Sequence, residues 1–383
     1  MGDAIELTAA MADMGAAMEV FASLEKFASM AGVLGPIAGV AGLLLGLAMG
    51  GGDSEELSYM KEQFTAVKNK LDVISDELGN VLRQVEKSTL SSVYFPTEMN
   101  LKNQFRKYME IISARSDCKE KEKDEFITHF NSTKGDQNLH TLYEAIMGHN
   151  MLFGVPILET AMSYSQKNRR VMEQMCARLK TLFCIGLIAL LGQTTITGND
   201  VDSIKKEWDE KISKVEEKMK TMVDRCVAEF LEQAKIDVEA MIKANKDPSH
   251  AAQVFAYHTE LANKYDWLKW SVVVYDEVGG HENHNTKGEN FFYFYRTNGI
   301  NCVVSYSKAE TKVDRNTVLK IMDKKFNDCK NATEVVTFLK GELPGHLVQA
   351  IRRFNGVQCM NDFPWERFFW KVYDEVTLCV HTE

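Results

Sequence analysis

Residues 27–52 carry no charged side chain, a run of 26 closed by Lys26 on one side and Asp53 on the other. About 20 residues of helix cover the roughly 30 Å of a bilayer's hydrocarbon layer, so this stretch passes the length test for spanning. A chain that carries it must either enclose it in protein or give it to lipid, because so much apolar surface is costly in water. Gly35 and Gly39, Gly42 and Gly46, and Gly46 and Gly50 form three GxxxG pairs. On a helix these glycines make a face of small residues where another backbone packs closely. The larger side chains Met30, Val33, Leu34, Ile37, Val40, Leu43, Leu44, Leu45, Leu47 and Met49 are then the candidate membrane-inserting set.

Gly35-Pro36 interrupts the run, and Pro36 suits the first turn of a new helix. Residues 1–34 and 36–50 are therefore expected to be the arms of a helical hairpin. The first arm is amphipathic, with Leu7, Met11, Met14, Met18 and Phe21 on one stripe and Asp13, Glu19 and Glu25 off it. No Trp or Tyr belt flanks the uncharged run and no Lys/Arg cluster follows it. That pattern favours conditional insertion over a permanent single-pass anchor. The competing reading is a soluble bundle in which the hairpin is permanently buried.

Long amphipathic helices follow. Asp53, Ser54, Glu55 and Glu56 supply a cap and an acidic first turn. Leu57, Met60, Phe64, Val67, Leu71, Ile74, Leu78, Val81 and Val85 then alternate by three and four, predicting a rod over residues 54–89 that Pro96 separates from the next helix. Residues 101–116 read as a further helix, and the charges of 119–125 as a solvated helix start or loop. A short helix begins at Leu139, residues 148–156 break it, and a long helix then runs through Arg169 and Arg170 into a second uncharged stretch, 181–199. Only 182–191 is strongly apolar there, too short to span a bilayer and suited to the centre of a bundle. A third long helix, marked by Ile204, Trp208, Ile212, Val215, Met219, Met222, Cys226, Phe230, Ala234 and Val238, is expected to continue to Pro248.

Residues 266–383 change character, holding four of the five Trp. Strands are predicted over 270–278, 291–296 and 300–306, with Asn298-Gly299 as a hairpin turn, and helices over 317–326, 332–339 and 347–354. The predicted fold class is mainly α: an apolar helical hairpin (residues 1–52), an elongated bundle of long helices (53–265) and a smaller, aromatic-rich α+β domain (266–383), whose aromatics are expected mostly in its core.

Chemistry is sparse. A net charge of −9 argues against nucleic acid as a partner. Phosphate-binding loops, nucleophile elbows, dinucleotide fingerprints and HExxH are absent, so no catalytic residue, cofactor or metal is assigned. His281 and His284 share a Gly/Asn-rich loop without a rigid third ligand and read as solvated loop. The eight cysteines form no CxxC pair and read as separate thiols, Cys176 and Cys184 as small buried hydrophobes. MGDAIEL lacks a basic region, so a secretory signal is not expected, and the expected location is cytoplasmic and membrane-associated.

NRRV at residues 168–171, CARLK at 176–180 and FCIGLIAL at 183–190 lie in a stretch that resembles the rapunzel family of fish proteins and the cephalotoxin-like proteins. The resemblance implies a link to fin and skeletal development on one side and a membrane-acting ancestor on the other; its motifs contain no known active site. The expectation is a non-enzymatic, membrane-associating helical protein resembling α-helical pore formers, with the lipid bilayer and further copies of itself as partners. The alternative is a soluble intracellular interaction or scaffold protein.

Overall fold

The computed structural model describes residues 76–383 except 88–90, 116, 149–153 and 327. The expected hairpin and the first rod up to residue 75 lie outside them. The chain divides into two compact units, Met1–Ala228 and Glu229–Glu383.

The described part of the first unit is all helix: α1 (Asp76–Glu86), α2 (Ser91–Ser113), α3 (Lys119–Ser132), α4 (Gln137–Met147), α5 (Ile157–Tyr164), α6 (Arg169–Thr197) and α7 (Val201–Ala228). Leu78, Val81 and Val85, the end of the first heptad stripe, are buried as their spacing requires. Pro96 does not separate two helices; it lies inside α2 and removes one rung of the ladder there. Tyr94, Thr97, Glu98 and Leu101 are buried around it, and tertiary packing outweighs the local propensity. The long helix expected before Arg169 is also broken. Gln166 and Lys167 both take positive φ, and Asn168 restarts the chain by capping α6 through Val171 N at 3.3 Å.

α6 is the axis of this unit, since each of the other six described helices packs against it. Leu182, Phe183, Ile185, Leu187, Ile188, Leu190 and Leu191 are all at most 4% exposed. Its two glycines allow this closeness. A Cβ on Gly186 would lie 2.6 Å from Leu139 Cδ2, and one on Gly192 would lie 2.3 Å from Tyr108 Cε2. Gly192→Ala therefore trades about 1 kcal/mol of helix propensity for overpacking worth about 1–3 kcal/mol against a fully buried ring. The expected outcome in urea denaturation is a net loss of stability; a gain would show that Tyr108 yields.

The second unit begins earlier than residue 266, and the third long rod ends at Ala228. α8 (Phe230–Ala244) and α9 (His250–Lys264) belong to the second unit because Ala234, Val238, Ile242, Val254, Tyr257 and Leu261 share a core with Trp270, Val272 and Val274. These last three are alternate residues of β1 (Lys269–Asp276). The strands β2 (His284–Lys287), β3 (Phe291–Thr297), β4 (Ile300–Ser307), β5 (His346–Arg352), β6 (Gln358–Asn361), β7 (Phe368–Val372) and β8 (Val376–Thr382) complete two antiparallel sheets of order β3-β4-β1-β6 and β2-β5-β8-β7. α10 (Arg315–Ile321), extended by a π-helical turn, and α11 (Ala332–Glu342) cover the second sheet through Val318, Met322, Val335, Val336 and Leu339. Val273, Tyr275, Val303 and Ile351 meet between the sheets. The layering is helix, sheet, sheet, helix.

This explains one failed expectation. Residues 347–354, read as a helix, hold all of β5 but its first residue, and the strand is buried along nearly all its length. A strand covered on both faces shows no alternation to distinguish it from a core helix. The Asn298-Gly299 turn is as expected: φ is +53° and +80°, and Thr297 pairs with Ile300.

The unit is also built twice on one plan, α-α-β-β-β-β. β3-β4-β1 in one sheet corresponds to β7-β8-β5 in the other, and the fourth place in each is filled by the second strand of the other half. Ile300, Cys302 and Val304 of β4 face helices, as do Val376, Leu378 and Val380 of β8. Phe291, Phe292 and Tyr293 correspond to Phe368, Phe369 and Trp370 by their pairing with these strands.

Candidate functional site

The fifteen residues proposed from sequence for insertion and helix packing, between Met30 and Gly50, all lie outside the described residues. Among the described residues, α6 is the one helix long and apolar enough to cross a membrane, and it is almost wholly enclosed. Burying each of its large side chains contributes about 1.5–3 kcal/mol. Polar ties add to this. Lys180 Nζ lies 3.2 Å from Glu216 of α7, with only 2% of its side chain exposed, and Arg178 pairs with Glu98 of α2. Breaking such buried pairs leaves uncompensated charge. The geometry makes α6 a core helix.

Cys176 and Cys184 are placed as small buried hydrophobes. Burial pushes Cys176 and Cys184 up to about 12, far from thiolate character at neutral pH. Among the described residues no group of three or more His, Cys, Asp or Glu could hold a metal ion. His284 is not in a solvated loop but starts β2, buried, with Nδ1 2.8 Å from Tyr275 Oη and its ring edge-on to Tyr295. Burial is the main reason its pKa falls below the ordinary histidine value.

His381 is the second core histidine. Nδ1 lies 2.8 Å from the Thr382 carbonyl and Nε2 2.7 Å from Ser305 Oγ. This network assigns the proton to Nδ1, so the Ser305 hydroxyl donates to Nε2. The bond joins β4 of one sheet to β8 of the other, and Phe363 and Phe368 close over the ring. Burial pushes its pKa down to about 4. The folded value is below the unfolded one, so the neutral ring's contribution is complete above about pH 6.5 and is lost as pH falls toward 4. On the order of 3 kcal/mol is at stake for a shift of that size. Denaturation midpoints of the second unit should fall across this window, and His381→Gln should flatten the slope; an unchanged slope contradicts the assignment.

One cleft, of about 440 Å³, lies at an edge of the sandwich. Arg315 of α10, Cys359 and Asn361 of β6, Phe363 and Trp365 of the following loop, and Phe368 and Trp370 of β7 line it. Asp362 anchors the loop to β1, its Oδ1 accepting from Trp270 N at 2.6 Å. Arg315 Nη2 donates to the carbonyls of Trp365 (2.9 Å) and Phe368 (2.6 Å), and its guanidinium lies 3.8 Å from the Trp365 ring centroid. Trp365 remains 72% exposed. Sequence reasoning assigned the aromatics mainly to the core and overlooked this group. Pro364 beside a lone Trp within a charged loop was the available signal.

A family model for the cephalotoxin-like middle helical domain matches residues 50–248, ending in the connection between α8 and α9. The chain is 40% identical over 209 residues to Protein rapunzel of Danio rerio, covering 55% of this chain and 92% of that protein. It is 23% identical over 249 residues to SE-cephalotoxin of Acanthosepion esculentum, covering 62% of this chain and 23% of the toxin. No solved structure matches it. With more than half its length inside the helical-domain model and nearly the whole of rapunzel aligned to it, the chain belongs to the cephalotoxin-like family and is a homologue of rapunzel.

Proposed function

We propose that the protein is a non-enzymatic, membrane-associating helical protein in which residues 27–52 enter a bilayer and copies of the chain self-associate. The observation that carries this reading is the 26-residue uncharged run with its three GxxxG pairs. Exchange of protein surroundings for lipid costs least where no charge must be desolvated and where small faces let helices pack in hydrocarbon. Asp13, Glu19 and Glu25 on the preceding arm stay at the interface, face a lumen or are protonated. A relative named as a toxin supports membrane action. A part in fin and skeletal development, which the resemblance to rapunzel implies, is the proposed setting. Flotation with liposomes and dye release at neutral and mildly acidic pH test the reading: co-flotation with release is expected, and neither binding nor release overturns it.

The second reading is a soluble interaction protein whose apolar segments are permanent core. The near-complete enclosure of the apolar part of α6 favours it, since the chain already buries one membrane-length apolar helix. Under this reading the protein fractionates with the cytosol and does not float.

A further inference from the structure

We infer that the cleft between β6 and β7 is a binding site for a small planar organic carboxylate, an aromatic ring bearing an acid group. This goes beyond the membrane reading and is independent of it.

The charge argument comes first. Among the described residues no carboxylate pairs with Arg315; two backbone carbonyls hold its guanidinium in place without neutralising it. Desolvation lowers its pKa from the ordinary arginine value, but a guanidinium stays charged throughout the physiological range. A fixed cation in a partly desolvated cleft is best answered by an anion; with both Nη2 hydrogens on carbonyls, Nη1 is the nitrogen left to donate to a carboxylate oxygen. Asn361 adds a second polar group: its side-chain oxygen accepts from Phe363 N at 3.2 Å, which leaves Nδ2 to donate.

The walls select the rest of the ligand. Phe363, Trp365, Phe368 and Trp370 line the cleft, Phe363 and Phe368 being nearly buried against His381 and Trp365 largely exposed, and the volume falls in the range of small-molecule sites. Trp365 covers the guanidinium with one face while most of its surface stays open to stacking.

The internal repeat supplies an independent comparison. At the corresponding edge of the other half, the connection between β2 and β3 is only residues 288–290, and the Tyr293 and Tyr295 rings stack on each other at 4.2 Å. There the chain provides its own carboxylate: Glu383 accepts from Asn290 N at 3.2 Å and pairs with Lys340 at 2.7 Å. At the longer connection, residues 362–367, Asp362 is engaged by Trp270 N, and Arg315 beside it is held by two carbonyls with no carboxylate paired to it among the described residues. The two edges share one plan, and only one has the groups for an outside anion.

Isothermal titration of the full chain with 2-naphthoate, 2-naphthamide, acetate and a methyl glucoside tests this. The expected result is that naphthoate binds, with naphthamide and acetate each weaker by about tenfold or more, because charge-assisted bonds and ring burial both contribute. Arg315→Gln is expected to cost naphthoate at least about tenfold while leaving naphthamide unchanged. Trp365→Ala is expected to weaken both aromatic ligands several-fold. If Arg315→Gln does not fold, the comparison of acid with amide on the wild-type chain decides the matter. Equal affinity for acid and amide, binding of the neutral glucoside in place of the acid, or no binding at millimolar naphthoate overturns the proposal.

Discussion

Alanine at Asp237 is expected to destabilise the second unit by about 3–5 kcal/mol, the cost of leaving a buried charge without its partner. Asp237 Oδ2 accepts from Lys264 Nζ at 2.6 Å and from Tyr265 Oη at 2.7 Å, while Oδ1 accepts from Gln233 Nε2 at 2.9 Å. The Lys264 and Asp237 side chains are 6% and 8% exposed, so water replaces little of what is removed. Replacing both partners with apolar residues, Asp237→Leu with Lys264→Met, is expected to recover most of the loss, since no charge then remains to be desolvated. Urea denaturation followed by circular dichroism measures both. A loss below about 1 kcal/mol for Asp237→Ala would mean that the pair behaves as a surface ion pair. The same experiment locates the unit boundary. Because α8 shares the core of β1, the affected transition is that of the sandwich and not of the bundle around α6.

Leu44→Asp is expected to abolish vesicle binding. An aspartate at the centre of an inserted helix costs about 2.5–3.5 kcal/mol on insertion scales, and each 1.4 kcal/mol is roughly a factor of ten in partitioning. The expected loss is therefore on the order of a hundredfold, read as protein left at the bottom of a flotation gradient. The second unit provides the control. Asp237→Ala weakens the fold without touching the uncharged run, so it should leave flotation unchanged under conditions where the protein remains folded. Equal flotation of Leu44→Asp and the parent chain would remove residues 27–52 from any account of membrane contact.

The helical half of the fold was legible because its signal is periodic. Leu78, Val81 and Val85, or Trp208, Ile212, Val215 and Met219, announce a buried stripe by spacing alone, and each is buried. The apolar stretch 182–191 likewise read as a central helix and is one. Errors arose where burial is two-sided or local chemistry is overruled. β5 lost its alternation between a helix layer and a second sheet. Pro96 sits inside a helix because its neighbours are core residues. The break at Ala228 carries neither Gly nor Pro, and the stripe continues across it from Cys226 to Phe230, Ala234 and Val238. What changes there is the partner, from the bundle to a sheet, and a partner leaves no local mark. The Arg315 cleft escaped for a related reason. Its residues come from a helix, a short strand, a loop and an edge strand, so only the folded sandwich brings them together. The repeat behind that sandwich was hidden by the exchange of β2 and β6 between halves and by a bulge near Arg296 that offsets β3 from β7.

Amide hydrogen exchange on the full chain, with and without liposomes, tests the central claim most directly. The account predicts that residues 27–52 exchange faster than α6 in buffer and gain strong protection when vesicles are added, while Arg169–Thr197 is unchanged. Protection of residues 27–52 equal to that of α6 in buffer alone, and indifferent to lipid, would contradict it.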